Sequence, residues 1–370
     1  MSYTFCCPCH FGVEGLLADE MRRLDLKNVR AENGRVRFDG DGRDLARASI
    51  WLRCAERILL EVGSFDAMSF EELFQGVKAL PLEQFIPRNA AFPVKGFSIN
   101  SKLFSVSDCQ SIIKKAAVSR LSSHYGIEWF PEDGERIQIQ FSIMNDVCTI
   151  SLDTSGDGLH KRGYRPAHVA APLSETLAAA MVYLSRYRGR EDFCDPFCGS
   201  GTLPIEAALI AKNRAPGLKR AFAAEQWSLF EKSIWKDARE EAPAKEYNGD
   251  YRIFGSDLSP EAVEISRKNA ERAGVDDLIE FKQADATEFS RKTERGVIVT
   301  NPPYGERLME KTEAEKLYTN FGRAFFAAQN WKLYLLSSHT EFERTFGKSA
   351  DKKRKLYNGM IKCDLYMYLK

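Results

Sequence analysis

The chain of 370 residues is too long for one typical hydrophobic core, so two or three domains are expected. Its 44% hydrophobic and 28% charged residues are ordinary for a soluble globular protein. The formal net charge of +1 excludes an overall basic excess, so any surface for a nucleic acid has to be local.

No apolar run approaches the length of a membrane span, and residues 1–15 lack the layout of a secretory signal, so a cytoplasmic location without membrane contact is expected. The nine cysteines are scattered and odd in number, which favours free thiols over disulfides. The cluster Cys6-Cys7-Pro8-Cys9-His10 could suggest a metal site. No second pair with zinc-type spacing follows it, so thiols near a strand end are favoured and no metal is expected.

Two α+β units are predicted at the amino-terminal end. Residues 1–55 alternate strand-like and helix-like stretches at 3–7, 13–24, 34–38 and 44–52, and residues 58–62 could close this sheet. Residues 56–155 predict helices at 70–79 and 108–125, and strands at 92–99, 136–143 and 147–153. The dipeptide Asn145-Asp146 between the last two strands favours a hairpin.

A glycine-rich basic connector is predicted at residues 156–172, and it contains the stretch Gly158-Leu159-His160-Lys161-Arg162-Gly163-Tyr164-Arg165. Residues 173–370 then alternate helices and strands as a doubly wound sheet does, after Ser174 as a helix N-cap. Strands are predicted at 192–195, 251–257, 279–284, 297–300 and 331–338. The stretches 354–357 and 360–369 flank Asn358-Gly359, a strong hairpin signal. An antiparallel hairpin that closes a mostly parallel, Rossmann-like sheet is typical of class I methyltransferases.

A glycine-rich loop follows the first strand of this sheet. It comprises Asp195, Pro196, Phe197, Cys198, Gly199, Ser200, Gly201 and Thr202. The glycines allow a tight turn close to a ligand, and the next helix offers unpaired N–H donors. Pro204 stands where a dinucleotide fingerprint requires a third glycine. The acid at the head of the loop suits an ammonium group instead, such as the amino-acid end of S-adenosylmethionine. Cys198 is predicted to be a small packing residue.

Two further acids are predicted at neighbouring strand ends. Asp257, followed by Leu258, could accept ribose hydroxyls, and Asp285, followed by Ala286, could accept an adenine amine. Either acid alone could also be a helix N-cap, and Ser259-Pro260 after Asp257 opens a helix. The stretch 211–248 between the loop and Asp257 is interpreted as a helical insertion, which either covers the site or is solvated.

The tetrapeptide Asn301-Pro302-Pro303-Tyr304 follows the β-branched strand 297–300. It therefore lies at a strand's carboxyl end, where open α/β sheets bind ligands. The Asn301 side-chain oxygen and the Pro302 carbonyl can accept the two hydrogens of a planar amine, while Tyr304 stacks on the attached base. A rigid structural turn is the alternative interpretation. With the acids and glycines upstream, these residues predict methyl transfer to an amine, with Asn301 also next to the cofactor.

The loop DPFCGSGT, the tetrapeptide NPPY and the connector GLHKRGYR resemble, in this order, the bacterial RNA methyltransferases that carry a THUMP domain. The resemblance extends to the first half of the bifunctional large-subunit rRNA guanine-N2 methyltransferase, without that protein's second methyltransferase. It implies a ferredoxin-like unit and a THUMP domain as an RNA-binding arm, a catalytic domain that uses S-adenosylmethionine, and RNA, foremost 23S rRNA or its precursor, as the partner.

The resemblance also implies where RNA is held. The candidates for phosphate contacts are Lys95, Lys102, Lys114, Lys115 and Arg120 in the arm, and His160, Lys161, Arg162, Tyr164 and Arg165 in the connector. A solvated helix face is the alternative for Lys114 and Lys115. Transfer RNA as the substrate, adenine N6 as the target and a non-catalytic RNA-binding factor remain open alternatives. The sequence leaves the target nucleotide and the oligomeric state undetermined.

Overall fold

The computed structural model describes residues 2–165, 173–291, 293, 295–303, 311–328 and 330–369. These residues form two sheets with helices packed against them. The amino-terminal sheet is mixed and mainly antiparallel, and the carboxy-terminal sheet is mainly parallel. None of the helices within these ranges has both the length and the apolar content needed to cross a membrane.

The amino-terminal sheet contains seven strands within the described ranges, in the order β2-β3-β1-β4-β7-β6-β5. The strands are β1 Tyr3–Pro8, β2 Lys27–Glu32, β3 Arg35–Gly40, β4 Leu59–Asp66, β5 Val94–Ile99, β6 Ile139–Met144 and β7 Val147–Asp153. The helices are α1 Glu14–Arg23, α2 Gly42–Trp51, α3 Phe70–Ala79 and α4 Val106–Tyr125. Strand β2 was not predicted, because this edge strand is mostly exposed and has no apolar alternation.

Side-chain caps fix where two of these helices begin. Asp41 accepts hydrogen bonds from the backbone N–H of Arg43 at 2.8 Å and of Asp44 at 3.1 Å, at the start of α2. Ser69 accepts from the N–H of Glu72 at 3.2 Å, at the start of α3. Such caps satisfy N–H groups that have no partner inside the helix, so the local sequence sets the helix boundaries.

Strand β4 joins the two predicted amino-terminal units into one sheet. It pairs with β1 at Leu60↔Phe5 and with β7 along the whole of its length, from Leu59↔Asp153 to Asp66↔Val147. The expectation that residues 58–62 close the first sheet agrees with this pairing. The predicted boundary near residue 55 therefore separates two sequence units that share one sheet.

The carboxy-terminal sheet contains seven described strands in the order β10-β9-β8-β11-β12-β14-β13. They are β8 Asp192–Asp195, β9 Ile253–Asp257, β10 Ile279–Gln283, β11 Gly296–Thr300, β12 Trp331–Ser337, β13 Lys352–Asn358 and β14 Ile361–Tyr368. The helices are α5 Glu175–Leu184, α6 Thr202–Ala211, α7 Ser233–Glu241, α8 Pro260–Ala273, α9 Lys311–Ala327 and α10 Phe342–Phe346. Neighbouring strands are parallel except where β14 pairs with β12 and β13. The predicted sheet with its antiparallel closing hairpin is confirmed.

The turn of this hairpin lies one residue later than predicted. Asn358 pairs with Ile361, so Gly359 and Met360 are the turn residues. Gly359 has a φ of 64°, which is easiest for glycine. The prediction of Asn358-Gly359 as the turn is therefore wrong by one position, because Asn358 continues the ladder.

The insertion between α6 and β9 packs against the amino-terminal sheet. Trp227 is buried and donates from Nε1 to the carbonyl of Arg136 at 3.0 Å. The N–H of Ala224 donates to the carbonyl of Thr154 at 3.0 Å, and Trp235 is also buried. The insertion contains the predicted helical structure only in part, as α7 and two short 3-10 turns at Ala223–Gln226 and Pro243–Lys245 joined by irregular segments. It fastens the two sheets together, and the interpretation as a solvated surface insertion is wrong.

Candidate active site at the switch point of the parallel sheet

The order of the parallel strands reverses between β8 and β11. From β8 the chain proceeds to β9 and β10 on one side, while β11 and β12 lie on the other side. The two strands pair at Gly296↔Asp192 and Ile298↔Cys194. The loops after β8 and β11 therefore leave the sheet on either side of a crevice, which is where open α/β sheets bind ligands.

The glycine loop after β8 is held from behind by α8. Ser266 donates from Oγ to the carbonyl of Gly199 at 2.7 Å, and Asn269 donates from Nδ2 to the carbonyl of Ser200 at 2.9 Å. Both α8 side chains are buried. Neither was predicted, although a polar residue on an otherwise apolar helix face is a recognisable signal.

The two loop glycines serve different purposes. At Gly201, where φ is 81°, a Cβ atom would lie 3.0 Å from the Ser266 Cβ, so a side chain would be both strained and crowded. At Gly199, where φ is 52°, nothing lies within 4 Å of an added Cβ. The loop is thus packed tightly at Gly201 and open at Gly199, where a ligand can approach the backbone.

Asp195 ties the two strands of the switch point together. Its Oδ1 accepts from the Thr300 hydroxyl at 2.6 Å and from the N–H of Phe197 at 3.1 Å. Burial raises the pKa of the Asp195 carboxyl to about 7, and the nearby charge of Asp257 contributes to the increase. The hydrogen bonds from Thr300 and Phe197 lower this pKa but do not outweigh burial. Asp195 is therefore a buried acid beside the crevice, close to the point of changing charge at neutral pH.

Asp257 and Asp285 cap the segments that follow their strands. Asp257 accepts from the N–H of Gly199 at 3.0 Å through Oδ2 and from the N–H of Ser259 at 3.0 Å through Oδ1. Asp285 is exposed, and its Oδ1 accepts from the N–H and the hydroxyl of Thr287, both at 2.8 Å. Because an ionised carboxylate has about four acceptor positions, the cap and the ligand interpretations are compatible.

The remaining predicted cofactor contacts surround the crevice. Leu258 is 68% exposed although it is a large apolar residue, whereas Ala286 and Cys198 are buried. Phe197 packs edge-on against Phe321 of α9, with 5.2 Å between ring centroids. Ser200 Oγ lies 3.3 Å from Thr202 Oγ1 at the start of α6. Cys198 lies 3.7 Å from the Ser266 hydroxyl in a packed position, which agrees with a packing role.

Asn301 directly follows β11, and its Oδ1 is buried without a hydrogen-bond partner among the described residues. A buried acceptor without a partner costs free energy, on the order of 1–3 kcal/mol, so it marks a site where a donor is expected. Pro302 is buried and Pro303 half-buried at the same edge. Tyr304, the fourth predicted catalytic residue, lies outside the described residues.

These residues fit the predicted S-adenosylmethionine. The open face at Gly199 admits a ligand to the loop backbone, and Asp195 and Asp257 provide acceptors for an ammonium group and for hydroxyls. The exposed Leu258 offers an apolar surface for a base. The Asn301 oxygen, which has no hydrogen-bond partner among the described residues, directly follows β11 on the other side of the switch point.

The predicted RNA contacts of the arm divide into two groups. Lys95, Lys102 and Lys115 are exposed. Lys114 is engaged: its Nζ lies 2.6 Å from Glu132 Oε1 and 3.5 Å from the centroid of the Phe92 ring. Arg120 likewise pairs with Glu83 at 2.5 Å. The first group stays a prediction for phosphate contacts, while Lys114 and Arg120 would have to exchange an internal partner for RNA.

Most of the predicted RNA-binding side chains of the connector contact acids within the protein. Arg162 and Tyr164 are buried, and both contact Glu206 of α6, at 3.5 Å and 3.2 Å. Arg165 forms a bidentate pair with Glu175, at 2.9 and 2.6 Å, and donates to Thr202 Oγ1 at 3.0 Å. The prediction of RNA contacts for Arg162 and Tyr164 is wrong, because both side chains are buried against Glu206. Arg165 is half-buried and would have to exchange Glu175 for RNA, so its contact stays a prediction.

The other two connector candidates are partly accessible. His160 Nδ1 lies 3.3 Å from Glu56 Oε2, and Lys161 forms an exposed pair with Asp157 at 3.0 Å. Glu56 also lies 3.0 Å from His10 Nε2. Burial raises the pKa of the Glu56 carboxyl, but the hydrogen bonds from His10 and His160 outweigh burial and hold that pKa well below its usual range. His160 thus has a structural partner, and Lys161 is the cation most open to a ligand.

The strand order, the glycine loop between acids and the amide at the switch point together define a class I methyltransferase domain. The family model described as RMKL-like, methyltransferase domain matches residues 162–367, and the chain belongs to this family. The RlmL ferredoxin-like domain matches residues 4–59 and the THUMP domain matches residues 67–153. The predicted resemblance to THUMP-containing RNA methyltransferases is confirmed.

Three similar proteins illustrate the relationship. The Bacillus subtilis (strain 168) protein named "Putative RNA methyltransferase YpsC" is 46% identical over 99% of this chain and 96% of its own length. The "Ribosomal RNA large subunit methyltransferase K/L" of Psychromonas ingrahamii is 35% identical over 99% of this chain, which spans 50% of that relative. The solved structure "Crystal structure of SMU.472, a putative methyltransferase complexed with SAH" is 40% identical with a TM-score of 0.93, covering 99% of this chain and 98% of that one.

Proposed function

We propose that this methyltransferase transfers a methyl group from S-adenosylmethionine to the exocyclic N2 of a guanine in RNA, with 23S rRNA as the substrate. The THUMP domain and the names of the two curated relatives support RNA, and the K/L relative supports ribosomal RNA. The SMU.472 structure with SAH, the product left by this donor, supports the cofactor.

The buried Oδ1 of Asn301, which has no hydrogen-bond partner in the described part of the chain, carries this proposal. The planar amine of a guanine brings two hydrogens, and Asn301 Oδ1 with the Pro302 carbonyl offers two acceptors. Accepting both hydrogens directs the nitrogen lone pair out of conjugation with the ring and towards the methyl carbon. A role as a rigid turn alone would not require a buried oxygen without a donor.

The bound cofactor supplies a methyl group on a positively charged sulfur, which is an intrinsically good leaving group. The protein therefore contributes alignment and electrostatic fit more than covalent chemistry. Asp195 holds the ammonium end, Asp257 accepts the ribose hydroxyls and Asp285 accepts the adenine amine. The new N–C bond would form as the S–C bond breaks with its electron pair going to sulfur, and the methylated amine would then lose one proton to water. A base in a duplex has to be extruded first, at a cost of a few kcal/mol, so an unpaired guanine is favoured.

Asn301→Ala tests the role of the amide. The variant is expected to bind S-adenosylhomocysteine normally, because the acids and the glycine loop remain, but to lose turnover by about one hundredfold. Isothermal titration and a tritiated-methyl assay on undermethylated rRNA measure the two quantities. Asn248→Ala, at an exposed position, is the matched control. Near-normal turnover of the Asn301 variant would remove the amide from the mechanism.

The competing functions are separated by the product. Adenine also presents an exocyclic amine, so the motif would serve N6 methylation as well, and transfer RNA would reach the same site. Digesting methylated rRNA and tRNA to nucleosides and weighing them distinguishes N2-methylguanosine from N6-methyladenosine in either RNA. For a non-catalytic RNA-binding factor, the combination of acids, glycine loop and unpartnered amide would have no use. Failure to bind the cofactor at millimolar concentration would favour that alternative.

A further inference from the structure

The two prolines of the motif restrict how its backbone can be held. Pro302 and Pro303 have no amide hydrogen, so neither can donate to a neighbouring carbonyl as residues at strand ends commonly do. Within residues 301–303 the remaining backbone handles are the Asn301 N–H and the carbonyl oxygens. A side-chain donor that reaches one of these carbonyls can therefore fix the direction in which the motif leaves the sheet.

Tyr318 of α9 supplies such a donor. Its side chain is completely buried, and its hydroxyl donates to the carbonyl of Pro303 at 2.9 Å. The same hydroxyl lies 3.4 Å from Ser337 Oγ at the end of β12. Ser337 Oγ accepts from the N–H of His339 at 3.1 Å, which leaves its own hydrogen for the Tyr318 oxygen. In this arrangement the Tyr318 hydroxyl can donate to the carbonyl of Pro303 while its oxygen accepts from Ser337.

The ring of Tyr318 is held on two sides. It packs edge-on against Phe342, with centroids 5.1 Å apart, and against His339, at 5.8 Å. His339 is fixed in turn by Glu315 of α9, whose Oε1 lies 3.1 Å from Nε2. A buried aromatic ring with fixed neighbours has few orientations, so the hydroxyl is a rigid attachment point.

We propose that Tyr318 is a positioning residue for methyl transfer, which holds the Pro303 carbonyl and thereby aims Asn301 Oδ1 and the Pro302 carbonyl at the incoming amine. The inference rests on the proposed role of these two acceptors. Catalytic groups must be held to within about 0.5 Å of their productive geometry. Tyr318 therefore acts through the motif without touching the substrate.

Tyr318→Phe removes only the hydroxyl, and Tyr368→Phe is a matched control. Tyr368 is equally buried in the same aromatic cluster and donates to the carbonyl of Lys348 at 2.8 Å, away from the motif. Single-turnover methyl transfer at saturating RNA and cofactor should fall about tenfold or more in Tyr318→Phe and stay within about twofold in Tyr368→Phe. Affinity for S-adenosylhomocysteine should stay within about twofold in both variants, because the cofactor loop is untouched.

Two results would overturn the proposal: normal single-turnover transfer by Tyr318→Phe, or equal losses in both variants, which would indicate a general effect of lost stability. Nucleoside analysis of the wild-type product separately tests the proposed guanine target. If the wild-type protein methylates no RNA, the proposed function is refuted. Amide hydrogen exchange at Asn301 then still tests whether Tyr318 holds the motif. Exchange about tenfold faster in Tyr318→Phe alone supports it, and unchanged exchange contradicts it.

Discussion

Replacing Arg162 by methionine tests whether the connector is structural. The Arg162 guanidinium is 2% exposed and faces Glu206, whose side chain is 0% exposed. Its Nη1 and Nη2 donate to the carbonyls of Leu159 and Arg53 at 2.8 and 2.6 Å. Methionine preserves much of the aliphatic volume but leaves the Glu206 carboxylate buried without its cation.

The expected loss follows from these contacts. Removing one partner of a buried ion pair costs about 3–5 kcal/mol, because a charge remains uncompensated in the interior. Tyr164 still donates to Glu206 at 3.2 Å, so we expect a loss near the lower end, about 3 kcal/mol. Adding Glu206→Gln removes the stranded charge and keeps an acceptor for Tyr164. The double variant should therefore recover at least half of the loss.

Urea unfolding followed by tryptophan fluorescence measures the free energy, with Lys161→Met as the neighbouring control. Lys161 is 58% exposed in a pair with Asp157, so its loss should change stability by less than about 1 kcal/mol. The salt dependence of RNA binding gives a second readout. A lost phosphate contact would lower the log–log slope by about 0.7–0.9, whereas a buried Arg162 predicts no change. Equal stability of the Arg162 and Lys161 variants, or a reduced slope for Arg162→Met, would refute the structural role.

Two further predictions concern the acids of the crevice. Burial raises the pKa of the Asp195 carboxyl from 3.8 to about 7, so its stabilising effect on the cofactor-free protein is fully present below pH 3.8 and disappears as pH rises through 7. Urea midpoints at pH 5 and pH 8 should show this loss in the wild type and not in Asp195→Asn, and binding of S-adenosylhomocysteine should strengthen over the same interval in the wild type alone. Asp257→Ala should weaken that binding by about tenfold or more, because the N–H of Gly199 also loses its acceptor. Calorimetry beside the exposed control Asp277→Ala decides this, and unchanged affinity would remove Asp257 from the ribose site.

The catalytic strands could be predicted closely because each carries its own local signal. The β-branched run before Asn301 and the glycines after Asp195 mark strand ends, and the predicted strand 192–195 coincides with β8. Strand ends of a parallel sheet meet at one edge, so the sequence also predicts which residues gather there. Hairpin register is less certain, since Asn358-Gly359 and Gly359-Met360 are both acceptable turns and cross-strand packing decides between them.

The role of the connector could not be predicted from its composition. A basic, tyrosine-bearing stretch looks the same whether its partner is RNA or a distant acid. Glu206, which takes up Arg162 and Tyr164, lies 44 and 42 positions further along the chain. The number of acids in the sequence does not indicate which of them pairs with Arg162 and Tyr164, because only the fold brings α6 next to the connector. The sequence did carry one signal for a buried partner: the helix α6 is apolar except for a single glutamate in its interior.

The connector and the insertion fasten the arm to the catalytic domain at separate places. Arg162 joins the carbonyl of Arg53 to Glu206 of α6, and Trp227 of the insertion donates to the carbonyl of Arg136. Separating the domains would expose a buried arginine–glutamate pair and a buried tryptophan, so hinge motion between them is costly. An arm that binds RNA would therefore hold it at a fixed position relative to Asn301. On the proposed mechanism, the shape of the RNA would choose the target base by placing an unpaired amine at this distance, because two acceptors at Asn301 and Pro302 match an amine but carry little information about the surrounding sequence.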